Sequence, residues 1–201
     1  MTEIKMTKIS KISAIVLIAS TLVGCSLFTS TSETQTSSIN PNKLTYQAAD
    51  FNIIVPRDWE VLDGEKLPAG SPQSVVAAFK NNIKNKKFIA NINVAKFDTK
   101  DEKTTNEETI KSMGDNYKNT LIDFQILEEI KVNINAKGQP IEGLLTKFSG
   151  KSDAAENPKN FKQLYVKYSG ASYIITTSYS QDEDLEVIAK IDEAINSFEL
   201  K

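Results

Sequence analysis

Residues 161–179 read FKQLYVKYSGASYIITTSY, two runs rich in aromatic and β-branched residues that are joined by Ser169-Gly170-Ala171-Ser172. Runs of this composition favour strands, and a short connection with a glycine favours a hairpin between them. The stretch therefore predicts two adjacent antiparallel strands, one from Phe161 to Tyr168 and one from Tyr173 to Tyr179.

Four tyrosines lie on this hairpin: Tyr165, Tyr168, Tyr173 and Tyr179. Side chains alternate between the two faces along a strand, and Tyr165 and Tyr179 differ in parity from Tyr168. At least one tyrosine should therefore point to the opposite face from its neighbours. A face with several tyrosines would suit a partner surface, although amphipathic tyrosines are also common on half-exposed strands.

Further strand-like runs lie on the N-terminal side of this hairpin. Pro56 interrupts the first of them, which predicts two strands separated by a kink. A polar turn before Phe88 predicts another hairpin. A Gly138-Gln139-Pro140 turn separates the last two runs. The predicted strands are Phe51–Val55, Asp58–Leu62, Ser74–Lys80, Phe88–Val94, Ile130–Ile134 and Ile141–Phe148.

Two stretches have helical periodicity. Thr105 and Glu108 have the spacing of a capping box, which predicts a helix start. The buried face of that helix should carry Ile110, Met113, Tyr117 and Leu121. A second amphipathic helix, with acidic residues suited to its dipole in the first turn, should bury Leu185, Ile188, Ile191, Ile195 and Phe198. Hairpin strands with two helices predict the α+β class, an antiparallel sheet flanked by helices.

The N-terminus has the organisation of a signal peptide. Lys5, Lys8 and Lys11 precede an apolar stretch of thirteen residues, 12–24. This stretch is short for a membrane span, which needs about 20 residues. Either Met1 or Met6 could be the start, and the choice does not change the mature chain.

Leu22-Val23-Gly24-Cys25 resembles the lipobox of bacterial lipoproteins. The resemblance implies that residues 1–24 are removed and that Cys25 carries acyl chains such as palmitate, which anchor the chain to a bilayer. Ser26, where Asp would signal retention, implies the outer membrane in a Gram-negative host and the cell membrane otherwise. An uncleaved anchor helix and a buried structural cysteine are the alternatives for this segment.

Composition excludes several classes of protein. The net charge is −2, or about −4 without a leader that carries three lysines and one glutamate, so nothing predicts a nucleic-acid partner. A single cysteine excludes an intramolecular disulfide, and the absence of histidine excludes a Ser–His–Asp triad. Nine of the seventeen residues from 26 to 42 are Ser or Thr, which predicts a flexible tether over 25–42 and a globular domain over 43–201.

Four motifs, taken in order, resemble the PsbP-like superfamily, which includes photosystem II extrinsic proteins and DcrB-type envelope lipoproteins. They are Phe51-Asn52-Ile53-Ile54-Val55-Pro56 with Trp59, Gly143 in a middle strand, Tyr173-Ile174-Ile175-Thr176, and Ile195-Asn196-Ser197-Phe198. The resemblance implies an α/β/α sandwich that is usually non-enzymatic and is used for binding or for assembly of a membrane complex. Histidines suggested as metal ligands in photosynthetic members have no counterpart here.

Two further features have structural explanations. Trp59 could be a ligand platform, yet a single Trp on a strand more often packs in a core. Asp182, Glu183, Asp184 and Glu186 could bind calcium, but they lack the glycine and final glutamate of an EF-hand, and acidic residues at a helix start need no ion. We therefore predict no catalytic, cofactor or metal residues, and one lipidation site, Cys25.

The sequence thus predicts a lipid-anchored protein of the bacterial cell envelope that is not an enzyme. It would act as a binding or assembly-accessory module, held to the membrane through Cys25 beside a membrane-associated protein complex. The alternative is an envelope hydrolase that uses carboxylate or Ser–Lys chemistry, neither of which needs histidine.

Overall fold

The structure, a computed structural model, describes residues 42–83, 88–98 and 105–201. About half of these residues are in strands and less than a fifth are in helices. In chain order the elements are β1 Lys43–Gln47, β2 Phe51–Pro56, β3 Glu60–Asp63, β4 Val75–Lys80, β5 Asn91–Asp98, α1 Asn106–Thr120, β6 Ile122–Ala136, β7 Gln139–Lys151, β8 Lys159–Tyr168, β9 Ala171–Ser180, α2 Leu185–Asn196 and β10 Glu199–Leu200.

The described strands form one sheet of ten, in the order β1-β2-β10-β6-β7-β8-β9-β5-β4-β3. The predicted hairpins are confirmed, because β8 pairs with β9, β4 with β5, and β6 with β7, all antiparallel. Ser169 and Gly170 have φ values of 51° and 77°. Two successive positive φ angles indicate a type I′ turn, whose twist matches that of the flanking strands.

Alternation along the central strands divides the core into two parts. Leu164, Val166 and Ile175 point to one face, with side chains of β2, β4 and α2, and we call this group the inner core. Tyr165 and Ile174 point to the other face, with side chains of α1, and we call that group the outer core.

The sheet curls into a half barrel, so that its two ends meet across the inner core. Phe51 and Ile53 of β2 share this core with Phe79 of β4 and Ile92 of β5, although β2 and β4 stand near opposite ends of the strand order. The Tyr46 ring of β1 meets the Phe79 ring edge-on, with 5.1 Å between their centroids. Strand twist accumulates across a wide sheet, and a sheet of ten strands tends to curl.

The two helices lie on opposite faces of the sheet. The predicted start of α1 is confirmed, since the Thr105 hydroxyl accepts from the Glu108 N–H at 3.2 Å and the Glu108 carboxylate accepts from the Thr105 N–H at 2.9 Å. Its predicted buried face is confirmed as well and forms part of the outer core. Helix α2 buries Val187, Ile191 and Ile195 in the inner core and so fills the hollow of the curled sheet.

The predicted α+β fold, a helix-flanked α/β/α sandwich, is wrong. The domain is mostly β, and on the inner side the far end of the sheet itself covers much of the core. One short helix on each face is too narrow to cover ten strands. The sheet therefore buries its own apolar side chains by curling.

The C-terminal segment differs from its prediction in two respects. Leu185, at the start of α2, is 84% exposed and not buried. Phe198 is buried as predicted, but it lies in the link between α2, which ends at Asn196, and β10. The Ser197 hydroxyl links the end of the helix to strand β2. It donates to the Ala194 carbonyl of the last helical turn at 2.8 Å and accepts from the Ile54 N–H at 2.8 Å.

Tyr46→Ala should lower the free energy of unfolding by about 2 kcal/mol, because the ring leaves Phe79 and the phenol no longer donates to Asp63 at 2.9 Å. Tyr46→Phe keeps the ring and should lose only about 1 kcal/mol. Urea denaturation measures both variants. Equal losses would contradict a packing role for this ring between the ends of the sheet.

Candidate functional site

A groove lies on the outer face of the sheet, between α1 and strands β6 and β7. We call it the α1–β6 groove. It has a volume of about 330 Å³, and its apolar walls include Met113 and Tyr117 of α1, Phe124 and Ile126 of β6, and Phe148 of β7. Charged side chains of α1 and β6 surround these walls, so the groove offers an apolar centre with a polar border.

Gly114 leaves the helix side of the groove open. Among the described residues, and leaving aside the helix's own backbone, a Cβ at this position would have one neighbour within 4 Å, the Ile126 Cδ1 atom at 4.0 Å. Glycine inside a helix costs about 0.5–1 kcal/mol relative to alanine. The helix thus gives up stability at the position where a side chain would occupy the space above Ile126.

Stacked rings of the outer core lie beneath the groove and are almost fully buried. The Phe148 ring stacks on Tyr117 and on Phe161, with centroid distances of 4.9 Å in both cases. Phe124 packs beside the stack, tilted by 50° and 5.6 Å from Phe148. The packed rings hold the floor of the groove in place, so a bound apolar group would meet a preformed site.

Two buried polar side chains also line the groove. The Gln163 amide donates to the hydroxyls of Tyr117 and Thr176, each at 2.8 Å. Burial raises the pKa of Tyr117 to about 12, against the opposing effect of that hydrogen bond. The Thr146 hydroxyl is buried, and within residues 42–83, 88–98 and 105–201 it has no hydrogen-bond partner.

A hydroxyl in that position is unfavourable for folding by roughly 1–3 kcal/mol, unless a ligand supplies the missing partner. Thr146 lines the groove, but its hydroxyl is shielded from solvent, so a bound molecule would reach it only if neighbouring side chains moved aside. The arrangement suits a mainly apolar ligand that carries one polar group.

A second pocket, of about 240 Å³, lies where the β1–β2, β6–β7 and β8–β9 turns meet. The Asp50 carboxylate there accepts from Lys96 at 2.5 Å and from the Tyr173 hydroxyl at 2.8 Å. Partial burial favours a higher pKa for Asp50, but the two hydrogen bonds and the Lys96 charge outweigh it and lower the pKa. Burial and the same carboxylate raise the pKa of Tyr173. These three groups satisfy one another, so we assign them a structural role.

Ser152 and Lys159 are a candidate pair for Ser–Lys chemistry, with 3.5 Å between Oγ and Nζ. The Ser152 hydroxyl donates to Glu156 at 2.7 Å, and the Lys159 ammonium donates to the same carboxylate at 2.7 Å. A nucleophilic serine must donate its proton to its base. Here both groups donate to Glu156, which is the geometry of an ion-paired loop.

No protein-family model and no curated protein matches this sequence. Solved structures do match. Cyanobacterial PsbP (CyanoP) of Synechocystis sp. PCC 6803 gives a TM-score of 0.58 at 13% identity, over 84% of this chain and 98% of its own. The domain has a PsbP-like fold.

Two further structures share the PsbP-like fold. The Ran-binding protein Mog1p of Saccharomyces cerevisiae has a TM-score of 0.53 at 14% identity, over 79% of this chain and 95% of its own. LpqN of Mycobacterium tuberculosis, which is involved in cell envelope biogenesis, has a TM-score of 0.52 at 13% identity, over 79% of this chain and 90% of its own. None of the three descriptions names an enzyme.

The described residues that the sequence singled out as candidate ligand or partner residues do not line the α1–β6 groove. Trp59 is 4% exposed in the inner core of the PsbP-like domain, which confirms that it packs. Tyr165 is the tyrosine that points to the opposite face, since it lies in the outer core whereas Tyr173 and Tyr179 lie in the inner core. Cys25 lies outside the described residues.

The acidic residues near the start of α2 do not gather into a metal site. Across the described ranges, the structure contains no group of three or more His, Cys, Asp or Glu side chains placed to hold a metal ion. In the same ranges, neither helix is long and apolar enough to cross a membrane.

Sequence reasoning missed the polar residues of the groove. Thr146 and Gln163 lie within predicted strands and face the outer core of the PsbP-like domain, where the alternation favours apolar residues. Gly114 lies inside the predicted helix, and an isolated glycine there is a signal of close approach or of open space. These three residues were the available signals of a groove. Each is a local feature, and none indicates which strand or helix forms the other wall.

Thr146→Val should raise the free energy of unfolding by about 1 kcal/mol, because a methyl group replaces a buried hydroxyl that has no partner among the described residues. Thr176→Val is the matched control, and it should lower that free energy by about 1 kcal/mol because Gln163 loses an acceptor. Urea denaturation measures both. A destabilised Thr146→Val variant would contradict our account of the groove.

Proposed function

We propose that this chain is a lipid-anchored protein of the bacterial envelope, with a signal peptide over 1–24, a tether over 25–42 and a PsbP-like domain over 43–201. Lipid on Cys25 holds the domain at the membrane. The domain is a non-catalytic binding module, and its α1–β6 groove binds an apolar segment of a protein in a membrane-associated complex.

The observation that carries this proposal is the composition of the groove. Its walls are apolar and aromatic, Gly114 leaves space above Ile126, and Thr146, whose buried hydroxyl has no partner among the described residues, lines the same groove. A protein segment that places an apolar side chain over the half-exposed Ile126 and a polar group near Thr146 would match both features. Peptide segments combine these properties, because every residue carries backbone donors and acceptors.

The comparisons support binding in an envelope, by analogy of fold. LpqN is described as involved in cell envelope biogenesis, and Mog1p is described as a Ran-binding protein. Proteins with this fold thus include one with an envelope role and one that binds another protein. Fold alone does not determine function, so the groove has to carry the assignment.

Lipid anchoring would make a modest affinity sufficient. Two or three acyl chains hold a protein firmly to a bilayer, because each buried methylene contributes about 0.8 kcal/mol. The tether then confines the domain near the membrane and raises its effective concentration toward a partner in the same membrane.

Benzoylphenylalanine in place of Lys118, beside the groove, should give one discrete photo-adduct in native membranes. Gly114→Leu should remove this adduct, because leucine fills the space above Ile126 and is also a good helix former. Gly114→Ala should keep the adduct and raise the free energy of unfolding by about 0.5–1 kcal/mol. Gel mobility and mass spectrometry identify the adduct.

Benzoylphenylalanine at the exposed Leu185 of α2 is the control position. An adduct that survives Gly114→Leu would rule out the groove as the binding site, and so would the same adduct obtained from Leu185.

Intact-protein mass spectrometry tests the anchor. The wild-type chain should lose residues 1–24 and gain the mass of a diacylglyceryl group on Cys25, and it should fractionate with membranes. Cys25→Ala should show none of these three changes: it should keep residues 1–24, gain no diacylglyceryl mass and not fractionate with membranes through a lipid. The proposal of an anchor fails if both chains have the same unlipidated mature mass and both fractionate as soluble.

A further inference from the structure

One long edge of the sheet has no partner strand in the described part of the chain. Strand β6 has 15 residues, but on the side away from β7 the described strands pair only with its Asn135 and Ala136, through the two residues of β10. Nine of the ten residues from 122 to 131 are exposed, and Leu127 and Ile130 among them are 58% and 40% exposed. Unpaired backbone groups beside exposed apolar side chains form a surface that accepts another strand.

The hydrogen bonds to β10 show which backbone groups of β6 face the open side. The Lys137 N–H donates to the Leu200 carbonyl at 2.9 Å, so the backbone of Lys137 faces β10. Backbone groups alternate sides along a strand. Asn133, Lys131 and Glu129 therefore point their N–H and carbonyl groups to the same side, beyond the end of β10.

A bulge limits how much of this edge can pair. The register between β6 and β7 shifts between Ile126 and Glu128. Ile126 before the shift and Glu129 after it both line the α1–β6 groove, so the alternation changes phase across the bulge. Regular pairing is thus open to residues 128–132, EEIKV, which we call the β6 edge. Bulges and charges are devices by which natural sheets restrict such edges.

The charges of the β6 edge select one two-fold antiparallel register with a second copy of the chain. Centring the pair on Glu128 or on Glu129 would place two glutamates opposite each other, and centring it on Lys131 would place two lysines opposite each other. Like charges in directly opposed positions are destabilising. Centring it on Val132 would pair only Val132 with Val132 within the β6 edge, whereas centring it on Ile130 pairs all five residues and places Glu129 of each copy opposite Lys131 of the other.

The register about Ile130 also agrees with the direction of the backbone. Glu129 and Lys131 both face the open side, so they form the hydrogen-bonded pairs of the new ladder. Ile130 then meets Ile130 of the other copy as the non-hydrogen-bonded pair, in which side chains are closest. The faces match as well, because Glu129 and Lys131 lie on the α1 side of the sheet.

We infer that the β6 edge is a self-association surface, at which two copies of this chain pair β6 with β6 antiparallel about Ile130. The two sheets become continuous and both helices α1 lie on the same face. Glu129 has no ion pair within the described residues and gains one. The Lys131 ammonium lies 2.9 Å from Glu107 and 3.1 Å from Glu142, and its third N–H serves the new partner.

The pairing is weak in solution, since five residues a side bury well under the roughly 1,200 Å² of a stable interface. Confinement of the chain to a surface would strengthen it. Self-association depends on neither the groove nor the lipid anchor, because it can be measured with the Cys25→Ser chain alone.

Disulfide trapping tests the register. In the full-length chain with Cys25→Ser, in mild detergent and a glutathione redox buffer, Ile130→Cys should form an intermolecular disulfide. Non-hydrogen-bonded pairs bring Cα atoms to about 4.5 Å, within the range that a disulfide spans. Leu127→Cys, which is more exposed but lies on the bulge, is the matched control and should form several-fold less dimer. No trapping at Ile130, or equal trapping at both positions, would overturn the inference.

Charge variants test whether the partner is a second copy. Glu129→Lys alone would place lysines opposite lysines, and Lys131→Glu alone would place glutamates opposite glutamates, so each variant should stay monomeric in analytical ultracentrifugation at concentrations where the Cys25→Ser chain associates. An equal mixture should form a 1:1 heterodimer, because every lysine then faces a glutamate. Thermal unfolding confirms that each variant is folded. A mixture that stays monomeric, or a single variant that associates like its parent, would overturn the inference.

Discussion

Phe51 and Ile53 of β2 share the inner core with Phe79 of β4 and Ile92 of β5, and all four side chains are fully buried. Full burial of one such side chain contributes about 1.5–3 kcal/mol, so the four together contribute about 6–12 kcal/mol. That is comparable to the whole stability of a typical domain. The curl of the sheet is therefore the condition under which the remaining elements fold, and α2 lies in the hollow that the curl creates.

The two faces of the sheet are consequently covered in different ways. On the inner side the sheet and α2 enclose the core, whereas on the outer side α1 is the one helix of the described residues that packs over β6, β7 and β8, with Leu67 of the β3–β4 connection also against this core. A single helix leaves a margin, and the α1–β6 groove lies there. Gly114 and Thr146 both reduce stability at that margin. Residues that weaken a fold beside an apolar groove are typical of sites kept for binding.

The sequence predicts what depends on near neighbours. The hairpin connection within 169–172, the alternation of the hairpin strands and the capping box at Thr105 are local, and each is confirmed, although the turn itself is only Ser169-Gly170. The curl was not predictable, because the partners of Phe51 are distant in the chain and alternation does not reveal which strand lies opposite. Strand β10 has two residues and exists only through its neighbours β2 and β6. Leu185 matched the helical period but lies at the first residue of α2, where the helix has not yet reached the core.

The open edge follows from the same geometry. Beyond the short strand β10, the end of α2 lies beside β2. There the Ser197 hydroxyl accepts a hydrogen bond from the Ile54 N–H, which a neighbouring strand would otherwise have satisfied. No equivalent contact reaches Glu129 or Lys131 of β6 within the described residues. An edge like this is a hazard for aggregation, and the bulge together with alternating charges limits it. Charges that forbid most pairings also specify the one they allow, so the residues that protect the edge from foreign strands are those that align it with its own copy.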